Sequence, residues 1–303
     1  MAKREKRVSS ATLGRLKKRV KRIADRRNRD LVRKLAPEQA GSKTKESGRT
    51  VWRGASLLTG EPVRVVVSGY VIPSENTKMG YGAESLQDHQ QYIQVWIFTD
   101  TEDFRPMDRA ICGDCGQRTY KGKSAPFLWE DGAEVMEDVE GACYVRWSEG
   151  PRAAFLASNR NAALSLKAGS QLLADRLVRI GAAGDPAAVP AHVWKTLLKG
   201  CKSFTAYTHQ WNRPEFQALK AFCMASTDSR AEEVKALAMG WSCFTADGNG
   251  DSMGKECLNN SHNLSCAECR ACDGMHRRSK PVAYKVAVHG PLSKRFRIRK
   301  GIA

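Results

Sequence analysis

The sequence lacks long hydrophobic runs. No apolar stretch approaches the roughly 18 residues of a membrane-spanning helix, and no basic leader is followed by an apolar segment. These absences predict a soluble, cytoplasmic protein with no membrane partner. In a reducing compartment, the ten cysteines are expected to be metal ligands, redox thiols or core residues rather than disulfides.

Acidic residues are absent from residues 275–303, which contain 9 Lys and Arg. Residues 1–49 hold 18 Lys and Arg against 5 Asp and Glu, whereas residues 50–274 hold 23 against 27. The net charge of +18 therefore belongs to the two ends of the chain. Localised cations gain affinity for DNA or RNA by releasing counterions from phosphates, so the ends are predicted to bind nucleic acid. A solvated tail is the alternative.

Residues 11–35 place apolar side chains at helical spacing among arginines and lysines, which predicts a basic amphipathic helix capped by Ser9 or Ser10. Pro37 and the polar residues 41–48 then indicate a linker. The basic residues expected to contact phosphates are Arg15, Lys17, Lys18, Arg19, Lys21, Arg22, Arg26 and Arg27 in the helix and Arg295, Arg297 and Arg299 in the C-terminal tail.

The rest of the chain reads as an α/β body. Apolar, β-branched runs predict strands, and helical segments between several of them imply parallel crossovers. We therefore expect a partial (β/α) barrel or an open parallel sheet with cysteine-rich, metal-binding insertions. The expected strands are 63–72, 92–99, 177–181, 204–207, 221–225, 241–245 and 282–288, and the expected helices are 189–199, 214–220 and 230–239. The expected regions are 1–49 (basic helix and linker), 50–150 (strands and first cysteine group), 151–290 (β-α body) and 291–303 (basic tail).

Polar residues follow the predicted strands at the edge where parallel α/β folds place their functional sites. Asp185, His209 and Asp228 each come soon after a strand, and Asp247 and His289 follow two others. Their recurrence predicts a shared site with catalytic or ligand-orienting roles, although Asp185 and Asp228 would also serve as helix caps. Tyr207 is a conceivable nucleophile.

Four cysteines form a C-x8-C-x2-C-x2-C array near the C-terminus: Cys257, Cys266, Cys269 and Cys272. Three thiols spaced two apart resemble the cysteine run of cubane ferredoxins, which makes a 4Fe-4S iron-sulfur cluster the first choice. Zinc is the alternative, with His262 or His276 replacing one thiol.

A first cysteine group comprises Cys112, Cys115 and Cys143, so its fourth ligand is open. The fourth ligand would be a histidine, an aspartate or another cysteine, or the fourth coordination position would stay open. A structural zinc site would take a histidine such as His89. The remaining cysteines, at 201, 223 and 243, lie in or beside apolar runs and are interpreted as core residues. Trp194 fits a core stripe, whereas Trp211 beside Arg213 is a candidate for stacking on bases.

With these residues in view, the chain resembles the phage gene-product-eighty-eight family and related phage proteins over about residues 50–290. The resemblance implies a viral source, a barrel similar to that of radical-SAM enzymes and S-adenosylmethionine as a further candidate cofactor. It implies no particular reaction, and the tight three-cysteine signature of radical-SAM enzymes is absent. The chain differs from the family pattern at Pro186, where an aromatic is usual, and at Leu258, where proline is usual. The matching features are Cys112-Gly-Asp-Cys115, Cys143-Tyr144, Arg179 with Gly184-Asp185, Trp194, Tyr207-Thr208, Ser226-x-Asp228, the terminal array and His289-Gly290.

The leading interpretation is a phage iron-sulfur protein that acts on or with nucleic acid in the host cytoplasm. One alternative is a zinc-stabilised, non-enzymatic DNA-binding protein. Another is a replication initiator or nuclease that uses the acidic residues with a divalent cation, but no paired-histidine nicking motif supports it. The sequence leaves open whether the protein is an enzyme.

Overall fold

The computed structural model describes residues 48–70, 92–119, 140–274 and 280–302. The basic N-terminal helix, the linker, His89 and His276 therefore lie outside the described residues. The described chain is α/β, with one mixed and one all-parallel sheet. The strands are β1 (Arg49–Ala55), β2 (Pro62–Ser68), β3 (Tyr92–Thr99), β4 (Leu177–Ile180), β5 (Ser203–Thr205), β6 (Tyr207–Thr208), β7 (Met224–Thr227), β8 (Cys243–Asp247), β9 (Lys255–Glu256) and β10 (Ala283–Ala287).

The first sheet has the order β1-β2-β3-β4-β5. Its first three strands are antiparallel, and β3, β4 and β5 run parallel to one another. Every residue of β3 is buried, which explains its continuous apolar and aromatic sequence, since a strand covered on both faces does not alternate with polar residues. The predicted strand at 92–99 is confirmed residue for residue.

The second sheet has the order β6-β7-β8-β10-β9, and all its strands are parallel. Only Ala206 separates β5 from β6, so the chain passes from one sheet into the other at a single residue. The Ala206 carbonyl accepts a hydrogen bond of 2.9 Å from the Met224 amide. The two sheets are therefore continuous in the chain within the predicted β-α body.

The helices are α1 (Arg109–Cys112), α2 (Gly150–Arg160), α3 (Leu166–Leu173), α4 (Ala191–Leu197), α5 (Arg230–Ala238), α6 (Leu258–His262), α7 (Cys266–Cys269) and α8 (Ser293–Arg299). Two 3-10 segments, Pro186–Ala188 and Pro214–Ala221, join strands of the body. The predicted helices at 189–199 and 230–239 correspond to α4 and α5, and the one at 214–220 is a 3-10 segment. Helices α2 and α3 were not predicted.

Helix α2 covers one face of the antiparallel strands. Phe155 packs edge-on against Phe98 at 5.6 Å between ring centroids, and the guanidinium of Arg64 lies 4.3 Å from the Phe155 centroid. Burial lowers the pKa of Arg64 to about 10, and Asp100 partly offsets this effect. This helix falls in a stretch whose mixture of small, charged and apolar residues weakens the helical pattern.

The C-terminal basic segment contains helix α8, which packs against the body. Phe296 of α8 is buried, and the buried Arg299 donates to the carbonyls of Arg118 and Glu140 at 3.0 and 2.7 Å. Arg295 pairs with Glu140, and Arg297 donates to the Gly248 carbonyl at 3.1 Å. Charge composition cannot reveal this docking because the acceptors are mostly backbone carbonyls.

Candidate functional site

Consecutive residues of β6 separate the predicted site residues into two groups. Successive side chains of a strand point to opposite faces of the sheet. Thr208 donates to Asp185 at 2.7 Å, while the hydroxyl of Tyr207 hydrogen-bonds to the sulfur of Cys272. The structure therefore brings Asp185, His209 and Asp228 together and places Tyr207 with the terminal cysteine array.

Asp185 follows β4 and caps the next 3-10 segment. Its carboxylate accepts hydrogen bonds from the amide of Ala187 at 2.9 Å, the hydroxyl of Thr208 at 2.7 Å and the amide of His209 at 2.8 Å. Its own amide donates to the Ile111 carbonyl at 2.6 Å. Burial raises the pKa of Asp185, and these hydrogen bonds oppose the rise. Asp185 thus fastens α1 to the end of β6.

His209 lies between a thiol and two carboxylates. Its Nε2 is 3.9 Å from Oδ1 of Asp228, and Oδ2 of Asp228 accepts a 2.6 Å hydrogen bond from Gln117. Burial alone would lower the pKa of His209, but the charge of Cys115, its hydrogen bond and the charges of Asp228 and Asp185 raise it to about 10. His209 therefore holds its proton near neutral pH, so it can donate a proton, and it binds a metal only by releasing that proton.

Lys300, immediately after α8, reaches the same group. Its Nζ lies 3.5 Å from Oδ2 of Asp228 and 3.5 Å from Oε1 of Glu232. Burial lowers the pKa of Lys300, but the two carboxylates outweigh it and the net shift is upward. Sequence reasoning missed Lys300, Glu232 and Gln117, because nothing in their local patterns distinguishes them from solvated surface residues.

Asp247 does not join this group. Its carboxylate accepts a hydrogen bond from the Gly250 amide at 2.7 Å and lies 3.6 Å from Nζ of Lys285. His289 is exposed, and its Nδ1 lies 2.8 Å from the Ala287 carbonyl. The shared site predicted from the strand ends therefore contains only part of the predicted set.

The first cysteine group is assembled by backbone hydrogen bonds. Cys112 ends α1, and the amide of Cys115 donates to the Cys112 carbonyl at 3.2 Å in the turn that follows. The Ala142 amide donates to the Gln117 carbonyl at 3.0 Å, which brings Cys143 beside this turn. Burial raises the pKa of Cys112, and the neighbouring thiols of Cys115 and Cys143 raise it further. Burial also raises the pKa of Cys143 to about 11.

The terminal cysteine array is carried by two short helices. Ser265 and Glu268 form a capping box at the start of α7, and Arg270 ends that helix with a positive φ of 51°. Ala267 packs against Tyr92 and Leu177 of the first sheet. The loops and helices between the strands of the second sheet thus deliver the thiols of Cys257, Cys266, Cys269 and Cys272.

The four thiols of the array are electrostatic neighbours. Burial raises the pKa of Cys272 to about 12; the hydrogen bond from Tyr207 opposes this rise, and the other three cysteines of the array add to it. Burial also raises the pKa of Tyr207 well above its ordinary value. His262, proposed as a substitute ligand, is exposed, and its Nδ1 lies 2.8 Å from the Ser261 hydroxyl.

In the described ranges, no group of three or more His, Cys, Asp or Glu side chains is arranged around a common point so as to hold a metal ion. Neither cysteine group is therefore a finished single-ion site as the side chains stand. Each group still gathers several thiols that could supply ligands. The first group also has His209 and the carboxylates of Asp185 and Asp228 beside it.

The remaining sequence candidates are placed as follows. Cys201, Cys223 and Cys243 are buried, as core residues would be. Trp194 is buried and donates to the Pro186 carbonyl at 3.0 Å. Trp211 is only 4% exposed and donates to the Ser226 carbonyl at 3.1 Å, so the expectation that it is open for base stacking is wrong.

No protein-family model, curated protein or solved structure matches this chain. Within the described residues, none of the helices combines the length and the apolar character needed to cross a membrane. The function must therefore be argued from the sites themselves.

Proposed function

We propose that the protein is a phage metalloprotein that binds a 4Fe-4S cluster through the terminal array and acts on or with nucleic acid. The observation that supports the proposal is that the charges of Cys257, Cys266 and Cys269 all raise the pKa of the Cys272 thiol. Cys257 precedes α6, Cys266 and Cys269 both lie in α7, and Cys272 follows that helix.

The chemistry of the donors suits such a cluster. A cubane cluster takes one cysteine thiolate at each iron, and hydrogen bonds to the sulfurs tune its reduction potential. The array offers four thiols, and Tyr207 supplies a hydroxyl donor to Cys272. In this role, Tyr207 is a partner of the cluster ligands.

Metal analysis tests this proposal directly. Anaerobically purified protein should contain iron and acid-labile sulfide, and Cys269→Ala should lose both. Ser261→Ala, in the neighbouring helix α6, is the matched control and should retain them. Stoichiometric zinc without sulfide in the wild-type protein would refute the iron-sulfur assignment.

Nucleic acid is proposed as the partner because the excess positive charge is concentrated at the ends of the chain. Among the described residues, Arg295, Arg297 and Arg299 each donate to a backbone carbonyl of the body, and Arg297 is the most exposed of the three. The proposed contacts with DNA or RNA therefore rest mainly on the eight basic residues at positions 15–27.

The phage assignment, with its host-cytoplasm location, is supported by the ordered set of sequence features named above. The proposed partial barrel is supported by the parallel strands β3 to β5 and β6 to β10 and by their junction at Ala206. S-adenosylmethionine remains a further candidate ligand on the resemblance alone.

A non-enzymatic, zinc-stabilised DNA-binding protein is the second candidate. The observation that favours it is that both oxygens of the Asp185 carboxylate already accept hydrogen bonds, from Ala187, Thr208 and His209. These bonds give Asp185 a structural role. A nuclease or replication initiator with Tyr207 as nucleophile is less well supported, because the Tyr207 hydroxyl is directed at Cys272 and burial raises its pKa.

A further inference from the structure

We propose that His209 is the missing fourth ligand of the first cysteine group, so that Cys112, Cys115, Cys143 and His209 together bind one zinc ion. This inference goes beyond the proposed function, which concerns the terminal array. Three cysteines and one histidine are a common donor set of structural zinc sites, in which the ion is held tetrahedrally.

Backbone contacts hold His209 against the segment that carries the first two cysteines. Asp185 links the two, because its amide donates to the Ile111 carbonyl and its carboxylate accepts the His209 amide. Gln210 adds a second link, since its Nε2 donates to the Cys112 carbonyl at 3.3 Å. The side chain of Gln210 also lies against Gly113, where a Cβ atom would come within 2.9 Å of it.

The third cysteine is brought to the same place by different contacts. The hydrogen bond between the Ala142 amide and the Gln117 carbonyl joins the segment of Cys143 to that of Cys115. Arg299 strengthens this joint, because it donates to carbonyls on both sides, those of Arg118 and Glu140. The positions of all four residues are therefore set by the fold.

The side chains already interact. Cys115 hydrogen-bonds to His209, and the Cys112 thiol is an electrostatic neighbour of both Cys115 and Cys143. In the described part of the chain the donors do not yet surround a common centre. Binding therefore requires side-chain rotation, and the ion displaces the thiol protons of the three cysteines and the proton on the ligating nitrogen of His209, which pass to solvent.

The surroundings of His209 are those expected for a metal-bound imidazole. Zinc-binding histidines usually donate their second ring N–H to a carboxylate, which orients the ring. Asp228 Oδ1 lies 3.9 Å from Nε2, which is longer than a hydrogen bond, so Asp228 takes that role only when the ring moves closer on binding, with Nδ1 left for the ion. Gln117 and Lys300 hold Asp228 in turn. The sequence named His89, His262 and His276 as candidate ligands, and it named His209 only as a residue of the site at the strand ends.

Cobalt(II) is the probe for this site, because thiolate-bound tetrahedral cobalt has intense visible bands. The full chain carrying Cys269→Ser and Cys272→Ser serves as the reference, since it disables the terminal array. In this background we expect one cobalt per chain with the spectrum of three sulfurs and one nitrogen. His209→Ala should abolish that spectrum, His209→Cys should restore binding with a four-sulfur spectrum, and Asp228→Asn should weaken affinity by about 10- to 100-fold.

His192→Ala is the matched control, because this exposed histidine lies on α4 and should leave the spectrum and affinity unchanged. Retention of the reference spectrum by His209→Ala would overturn the inference, as would a folded reference chain that binds no cobalt. If the double replacement prevents folding, the same comparison is made on the wild-type chain after its array has been reconstituted with iron and sulfide. Absence of iron from the array would refute the proposed function and leave the cobalt result standing.

Discussion

Lys300 lies 3.5 Å from the carboxylate of Asp228 and joins the end of the C-terminal helix to the group formed by Asp185, His209 and Asp228. The same amine lies 3.5 Å from Glu232, so one cation serves two neighbouring carboxylates. A residue that the sequence places in a basic tail is thereby paired with carboxylates and partly buried.

Replacement of Lys300 by alanine should destabilise the protein by about 1–3 kcal/mol, because it leaves Asp228 and Glu232 without their shared cation. Urea unfolding followed by circular dichroism measures the change. The exposed Lys294, in the same helix, provides the control, and Lys294→Ala should stay within about 0.5 kcal/mol of wild type. Equal effects of the two replacements would contradict the docking of Lys300.

Glu233 should give the folded protein an acid-sensitive component of stability. Burial alone raises its pKa, but hydrogen bonds from Ser252 and Thr245 and the pairing with Arg230 lower it below the ordinary value of 4.5. A lowered folded pKa contributes stability above the unfolded value, and this contribution is lost as the pH falls through the folded pKa.

Glu233→Gln is therefore expected to cost about 1–3 kcal/mol at pH 7 and progressively less below pH 4.5, the ordinary value. Unfolding free energies at several pH values provide the measurement. Glu256→Gln, at an exposed position, is the control. A stability difference for Glu233→Gln that does not change with pH would contradict this assignment.

If the terminal array holds a 4Fe-4S cluster, Tyr207→Phe should make its reduction potential more negative. Loss of one hydrogen bond of about 1 kcal/mol corresponds to roughly 40 mV for a one-electron couple. Redox titration of the reconstituted protein measures the shift. Tyr144→Phe is the control because Tyr144 is 73% exposed, and an unchanged potential in Tyr207→Phe would argue against a cluster at Cys272.

Trp211 should matter for stability and not for nucleic-acid binding. Trp211→Ala should cost about 3–5 kcal/mol because it empties a buried site, and Trp211→Phe should cost less because it keeps much of the volume. Chemical unfolding tests both. A folded Trp211→Phe protein should bind single-stranded DNA and RNA with wild-type affinity, and a selective loss of binding would restore the stacking interpretation.

The basic residues of positions 15–27 should supply most of the proposed affinity for nucleic acid. Replacing those eight residues with glutamine preserves the apolar spacing and should weaken binding while flattening its dependence on salt, since fewer counterions are released. Fluorescence anisotropy across a range of salt concentrations measures both effects. Arg297→Gln, in α8, serves as a comparison with a much smaller expected change.

Much of the body follows from short-range patterns. The apolar and aromatic residues of β3 predicted a strand, and the alternation of strands with helical segments after it predicted the parallel body, because strand burial and crossover geometry leave direct marks on the sequence. The cysteine spacing likewise identified both thiol groups, since that spacing is local for all but Cys143.

The contacts that surround His209 and Asp228 could not be predicted from the sequence. The hydrogen bond from Gln117 to Asp228 joins residues 111 positions apart. The hydrogen bond between Cys115 and His209 likewise joins residues that are far apart in the sequence. Such pairings depend on which loops meet at the ends of the strands, and a single sequence carries no periodic signal for that meeting.

The sequence by itself determined most strands of the body and its helices α4 and α5, the segregation of positive charge to the chain ends and the two thiol groups. Only the tertiary structure decided that Tyr207 belongs to one thiol group and His209 to the other, that Trp211 is internal and that Lys300 is docked. The physical reason is that patterning and spacing are local properties, whereas these contacts arise when segments far apart in the chain pack together and satisfy one another's buried polar groups.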